Sequence, residues 1–185
     1  MNPIFFKKRV LEQIESRWDR MYRVAYAWTH DPHLSRDLVQ ETASRAIRKY
    51  KQLQDIQALD AWLFRILSNC WYDVCRQNKH LQELTDEHQL VDYRTPETDQ
   101  YQNEVVRKVQ SALTQLPLEQ RQIITLIDLE GFSYSEVAEI VGVPIGTVMS
   151  RVCRARNKLK VVFETMDITS KPNAVKSSEH VRRIK

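Results

Sequence analysis

Ser133-Tyr134-Ser135-Glu136-Val137-Ala138-Glu139-Ile140-Val141-Gly142-Val143-Pro144-Ile145-Gly146-Thr147-Val148-Met149-Ser150-Arg151-Val152-Cys153-Arg154 is the stretch on which the fold turns. Ser133 with Glu136 three residues on is a capping box, the arrangement in which serine and glutamate satisfy each other's free backbone N–H groups at a helix start. Val137, Ile140 and Val141 give the helix it opens one apolar face. Gly142 ends that helix, because glycine enters the left-handed region without a Cβ penalty, and Val143-Pro144 completes a tight turn. A second helix starts near Ile145. A short capped helix, a glycine turn and a second helix make a helix-turn-helix.

On a wheel of about 100° per residue, Val148, Val152, Ala155 and Leu159 share one narrow sector and face the core. Gly146, Ser150, Cys153, Arg154 and Asn157 lie opposite, with Arg151, Arg156 and Lys158 on the flanks. From Ile140 to Phe163 there is no acidic residue. Small hydrogen-bonding side chains between flanking arginines suit a helix that reads base edges while its rims meet phosphates. Arg154 is of the type that pairs with a guanine edge through two hydrogen bonds.

Outward from this stretch, the 185 residues carry 28 basic and 24 acidic side chains, a net charge of +4. The average hides a pattern: residues 1–80 net +5, 81–104 net −6, 105–163 net +3 and 164–185 net +2. Two basic blocks around an acidic one predict two modules and a linker. Only three glycines occur, too few for a protein rich in tight hairpins, so the expected fold is all-α: two small helical domains joined by a flexible linker. The expected boundaries are a first domain at 6–80, an acidic linker at 81–104, a helix-turn-helix domain at 105–163 and a polar tail at 164–185. The periodicity predicts three or four helices over the segments 6–29, 33–50 and 59–79, with 6–29 one long amphipathic stretch, then helices at about 102–115, 118–129, 133–141 and 145–162. Asp31-Pro32 reads as an N-cap followed by proline at the first helical position. No apolar run reaches the ~18 residues of a membrane span, and the first residues hold no signal-peptide core, so a cytoplasmic protein is expected. Cys70, Cys75 and Cys153 form no CxxC pair. Cys70, Cys75 and His80 do not follow a common zinc spacing, so no metal or other cofactor is expected. No nucleophile–base pair or phosphate loop stands out, which speaks against an enzyme such as a metal-dependent nuclease.

Gly131-Phe132-Ser133-Tyr134-Ser135-Glu136-Val137-Ala138-Glu139-Ile140, Gly146-Thr147-Val148-Met149-Ser150-Arg151 and Arg154-Ala155-Arg156 together resemble region 4 of bacterial sigma factors, most nearly the extracytoplasmic-function (ECF) group of the sigma-70 family. Asp37-Leu38-Val39-Gln40-Glu41 and Ala61-Trp62-Leu63-Phe64-Arg65-Ile66-Leu67-Ser68-Asn69, followed by Asp73 and Arg76, resemble region 2. The two sets stand in the right order and cover roughly residues 18–163. The resemblance implies a dissociable, non-catalytic subunit of RNA polymerase. Region 2 would bind the core enzyme and the single-stranded −10 element and help melt it; region 4 would read the duplex −35 element. By position, Asp37, Gln40 and Glu41 would lie on the helix that docks on the polymerase. Asn69 would lie near the loop that captures an unstacked −10 base, flanked by Arg65 and Arg76. Arg121, Thr147, Ser150, Arg151, Cys153 and Arg154 match −35 positions. The family often has a basic residue where Met149 stands, and Trp71 is unusual at its place. An anti-sigma protein that grips apolar surfaces between the modules is a further expected partner.

Melted strands are held by aromatic stacking, and Trp71 and Tyr72 are candidates on that ground, with core packing as the other reading of both. Trp62 shares a stripe with Ile66 and is expected in the core. The alternative function is a two-domain helix-turn-helix regulator that binds duplex operator DNA without polymerase. The acidic stretch could also fold back on the basic modules; that expectation rests on Glu83, Asp86, Glu87 and Asp92.

Overall fold

The computed structural model describes residues 3–53, 55–84 and 102–165, with side chains over 8–53, 55–78 and 106–165. Every regular element among them is helical. The acidic stretch at 85–101 and the tail at 166–185 lie outside the described residues, and with them the fold-back expectation for Glu83, Asp86, Glu87 and Asp92.

The long amphipathic segment at 6–29 divides into two helices, α1 (Pro3–Glu15) and α2 (Trp18–Thr29), which gives the first group the larger of the expected helix counts. The break has a tertiary cause. Arg17 turns toward the start of α4 (Leu59–Leu84), where its guanidinium meets Asp60, and it also reaches Gln13. Residue 17 has φ −103 and ψ 1, no longer helical. α2 ends at His30, which is left-handed at φ 54. Asp31 then caps α3 (Pro32–Lys49), its carboxylate accepting from the N–H groups of His33 and Leu34 at 2.7 and 3.0 Å, with Pro32 at the first helical position. Two short 3-10 turns, Tyr50–Gln52 and Ile56–Ala58, lead into α4.

α5 (Gln102–Thr114) stops before Leu116-Pro117. α6 (Leu118–Ile124) runs into a wide π turn, Thr125–Leu129, so the expected 118–129 helix holds in extent but loosens halfway. α7 (Tyr134–Val141) carries the capping box: Ser133 N–H donates to Glu136 Oε2 at 2.8 Å, and Glu136 N–H donates to Ser133 Oγ at 3.3 Å. Gly142 is left-handed at φ 74, as the turn requires. α8 (Ile145–Thr165) follows. Ser133→Ala removes the hydroxyl of the box and is expected to lower stability by about 1 kcal/mol, read as a lower midpoint in urea with unchanged m-value.

α3 lies between α2 and α4, burying Met21, Val24, Leu38, Val39, Leu63 and Leu67. α8 packs on α6 and α7 over Ile123, Leu126, Val137, Val148 and Val152. The two helix groups then share one core, because α4 packs on α7 and α2 on α6 and the π turn. Phe64 and Phe132 meet edge to face across this junction, with ring centroids 5.2 Å apart.

Candidate nucleic-acid interface

α8 is built as its wheel predicts. Val148, Val152 and Ala155 are buried and Leu159 is half-buried, while Gly146, Ser150, Cys153, Arg154 and Asn157 are exposed. The three-residue turn at 142–144 and the capped α7 fix the angle at which this face is offered. Arg154 lies over its own helix, Nε to Ser150 O at 3.2 Å and a terminal nitrogen to Ser150 Oγ at 3.3 Å. Ser150 Oγ also donates to Thr147 O at 3.0 Å, and Asn157 Nδ2 faces Cys153 Sγ at 3.8 Å. These are local, solvent-exposed contacts that a phosphate or base edge can replace at small cost. Arg151 is turned aside: its side chain is only 21% exposed and lies 3.7 Å from Glu119. Thr147 is half-buried.

Arg121, expected at a −35 position, is engaged within the chain in this arrangement. Its guanidinium points into the junction and donates to three backbone carbonyls, Trp28 O at 2.9 Å, Thr114 O at 2.9 Å and Leu116 O at 3.1 Å. In this arrangement it is a tie between the helix groups and offers nothing to DNA. The physical reason is that α5 ends with open carbonyls beside α6, and an arginine fork satisfies several at once.

On α4, Arg65, Asn69 and Arg76 are exposed along the helix, and Asp73 joins Arg45 at 2.9 Å to Arg76 at 3.1 Å. No loop interrupts α4 at Asn69; the residue sits in mid-helix. Arg65 lines a cleft with Trp62, Asp55, Glu139 and Ile140, and thus faces α7. Trp62 is in the core as expected. Trp71 and Tyr72 are not free stacking platforms here. Trp71 is 8% exposed, packed in the core, and Tyr72 donates its hydroxyl to Gln122 Oε1 at 2.7 Å. On α3, Asp37 and Gln40 are exposed, and Glu41 is half-exposed and holds Arg45 at 2.7 Å.

Sequence reasoning missed the polar seam at the junction. Gln122 is 0% exposed, and its amide spans the groups: Nε2 donates to Ser68 Oγ at 2.8 Å while Oε1 accepts from Tyr72. Trp28 Nε1 donates to Thr125 Oγ1 at 2.6 Å. Arg20 bridges Asp60 at 2.6 Å and Glu130 at 2.8 Å. The one available signal was Gln122 itself, a polar residue at i+4 from Leu118 and i−4 from Leu126 on an apolar stripe.

His30 abuts this seam. Burial, aided by the charge of Arg121, pushes its imidazole down to about 4, and Nε2 is buried without a partner. The unfolded chain therefore binds more protons than the folded one between about 4 and the ordinary 6.5. Stability is complete above about pH 6.5 and declines as pH falls toward 4. Thermal melts at pH 7.5 and 5.5 are expected to show a loss in the native protein that His30→Asn, a residue tolerant of left-handed backbone, reduces.

No group of His, Cys, Asp and Glu among the described residues is arranged to hold a metal ion. Cys70 is buried beside Thr42 Oγ1 at 3.7 Å, and burial pushes the Cys75 thiol up to about 11; the His80 side chain is outside the described residues. Nor is any described helix long and apolar enough to cross a membrane.

Two family profiles match the chain: sigma-70 region 2 over residues 14–81 and sigma-70 region 4 over residues 107–159. Among curated proteins, the ECF RNA polymerase sigma factor EcfG of Rhodopseudomonas palustris is 36% identical over 127 residues, covering 69% of this chain and 70% of that protein. The ECF sigma factor SigE of Mycolicibacterium smegmatis is 33% identical over 153 residues, covering 80% of this chain; the match spans 59% of that relative's length. Among solved structures, the sigma factor RpoE of Bartonella quintana, crystallised with the anti-sigma factor NepR, superposes with a TM-score of 0.75 at 31% identity, over 83% of this chain and 95% of that one. CnrH, solved with the cytosolic domain of CnrY, shares the fold at a TM-score of 0.63 and 20% identity, over 87% and 96% of the two chains.

Proposed function

Because the chain belongs to the ECF group of sigma-70 RNA polymerase sigma factors, we propose that it binds core polymerase in the cytoplasm, directs it to specific promoters and helps separate the −10 strands. Nucleotide addition is the polymerase's chemistry; this chain contributes address and strand separation. The observation that carries the reading is the capped helix-turn-helix whose second helix offers Ser150, Cys153 and Arg154 on an exposed face without acids. Its companion is α4, with Arg65, Asn69 and Arg76 exposed on a helix matched by region 2. These residues are the proposed −35 and −10 contacts, and Asp37, Gln40 and Glu41 on α3 the proposed polymerase contacts.

The joined arrangement is then a resting one. The −35 and −10 elements lie about 85 Å apart along the duplex at 3.4 Å per base pair. A packed chain of this length has a radius of gyration of about 16 Å, too small to touch both. Promoter engagement separates the helix groups, exchanges the Gln122, Trp28 and Arg20 bonds for water or polymerase, and frees Tyr72, Trp71 and Arg121 for DNA. An anti-sigma protein is the proposed partner that holds the resting form. An apolar groove of about 530 Å³ between α2 and α5, lined by Tyr22, Tyr26, Val106, Val109, Leu113 and Leu129, suits its apolar contacts.

Run-off transcription with core polymerase on a promoter library is the test. Transcripts that depend on this chain are expected, with weak binding of promoter DNA by the chain alone in a gel shift. Tight duplex binding without polymerase, and no transcripts with it, would make the chain an operator-binding regulator instead.

A further inference from the structure

The rim of the α8 reading face, next to Cys153, carries an exposed apolar group that its hydrogen-bonding neighbours do not account for. Met149 is 57% exposed, and Ile145, one turn earlier on the same flank, is 50% exposed. Met149 borders a shallow notch of about 360 Å³ with Cys153, Val152, Tyr134, Arg156 and Asn157. The cations beside it are engaged elsewhere: Arg156 is drawn to Asp128 at 2.7 Å, and Arg154 lies over Ser150. The first turn is open, with nothing within 4 Å of the space a Cβ at Gly146 would fill, so the backbone there can come close to a duplex. The N-terminal turns of a recognition helix are the part that meets base edges.

A DNA major groove offers one apolar feature, the 5-methyl group of thymine. An exposed thioether in that groove gains by covering a methyl and gains nothing from a guanine or cytosine edge. We infer that Met149, with Cys153 beside it, reads a thymine methyl within the −35 element and so sets which promoters this chain selects. The inference rests on the proposed role of α8 in −35 reading. Removal of one methyl contact is expected to weaken binding about three- to five-fold.

The experiment uses the full chain assembled with core polymerase. Duplexes enriched by this holoenzyme from a library randomised over the −35 element are remade with deoxyuridine at one thymine at a time, which deletes the methyl and keeps every hydrogen-bonding group. One position is expected to show the three- to five-fold loss. Met149→Ala should bind the thymine and uracil duplexes alike at that position, and Met149→Leu, which keeps an apolar contact, should retain the preference. Enrichment without thymine, equal binding of uracil at every position, or a preference that survives Met149→Ala overturns the inference while −35 reading stands. Failure to enrich any −35 sequence overturns that reading and the inference with it.

Discussion

Trp28→Ala is expected to lower stability by about 3–5 kcal/mol, the range for emptying a buried aromatic site. That corresponds to a fall in melting temperature of roughly 6–20 °C for a chain of this length. Trp28 is 1% exposed, packs where α2 meets α6, and spends its one donor on Thr125 across the junction. Arg121 uses its carbonyl as well. The loss should therefore appear as uncoupling as well as destabilisation. The native chain is expected to melt in one transition and Trp28→Ala in two, because the second helix group loses its shared core but keeps its own. Trp28→Phe separates the components. It keeps most of the apolar volume but removes the N–H and part of the indole, so it should cost less than Trp28→Ala but at least the net worth of one hydrogen bond, about 0.5–1.5 kcal/mol. A single transition in Trp28→Ala with an unchanged midpoint would show that the junction carries no stability.

Arg154→Ala is expected to reduce transcription from cognate promoters roughly 5- to 150-fold, the equivalent of about 1–3 kcal/mol for a lost bidentate base contact. Binding to core polymerase should be unchanged. The side chain is exposed and its bonds in the free chain are local ones to Ser150, so its removal leaves the helix-turn-helix intact. Arg154→Lys should not restore activity, since an ammonium lacks the planar fork that matches guanine. If core binding fell instead, or if lysine sufficed, the role of Arg154 would be structural or purely electrostatic.

The seam explains why two of the expected DNA contacts, Arg121 and Tyr72, are engaged within the chain in this arrangement. A residue carried over by position to DNA contact is legible as a type and a place on a helix, and Ser150, Cys153 and Arg154 are exposed on that basis. Its orientation depends on what packs beside it. Arg121 found two nearby carbonyls at the end of α5 and the distant one of Trp28, and Tyr72 found the amide of Gln122; the Trp28 and Gln122 partners come from elsewhere in the chain. Asn69 lies in mid-helix on a continuous α4, as the helix expected over 59–79 requires, and is exposed there.

The all-helical class, the Asp31 and Ser133 caps, the Gly142 turn and the buried stripe of α8 were all written in the sequence. Each is specified by residues within one or two turns of each other, through caps and i+3 and i+4 spacings that a local reading recovers. The break at Arg17, the burial of Trp71, the Gln122 bridge and the joining of two modules into one core were decided by tertiary structure. The Arg17, Gln122 and junction contacts join positions 43 to 110 residues apart, and no local pattern encodes which distant face will cover an apolar stripe.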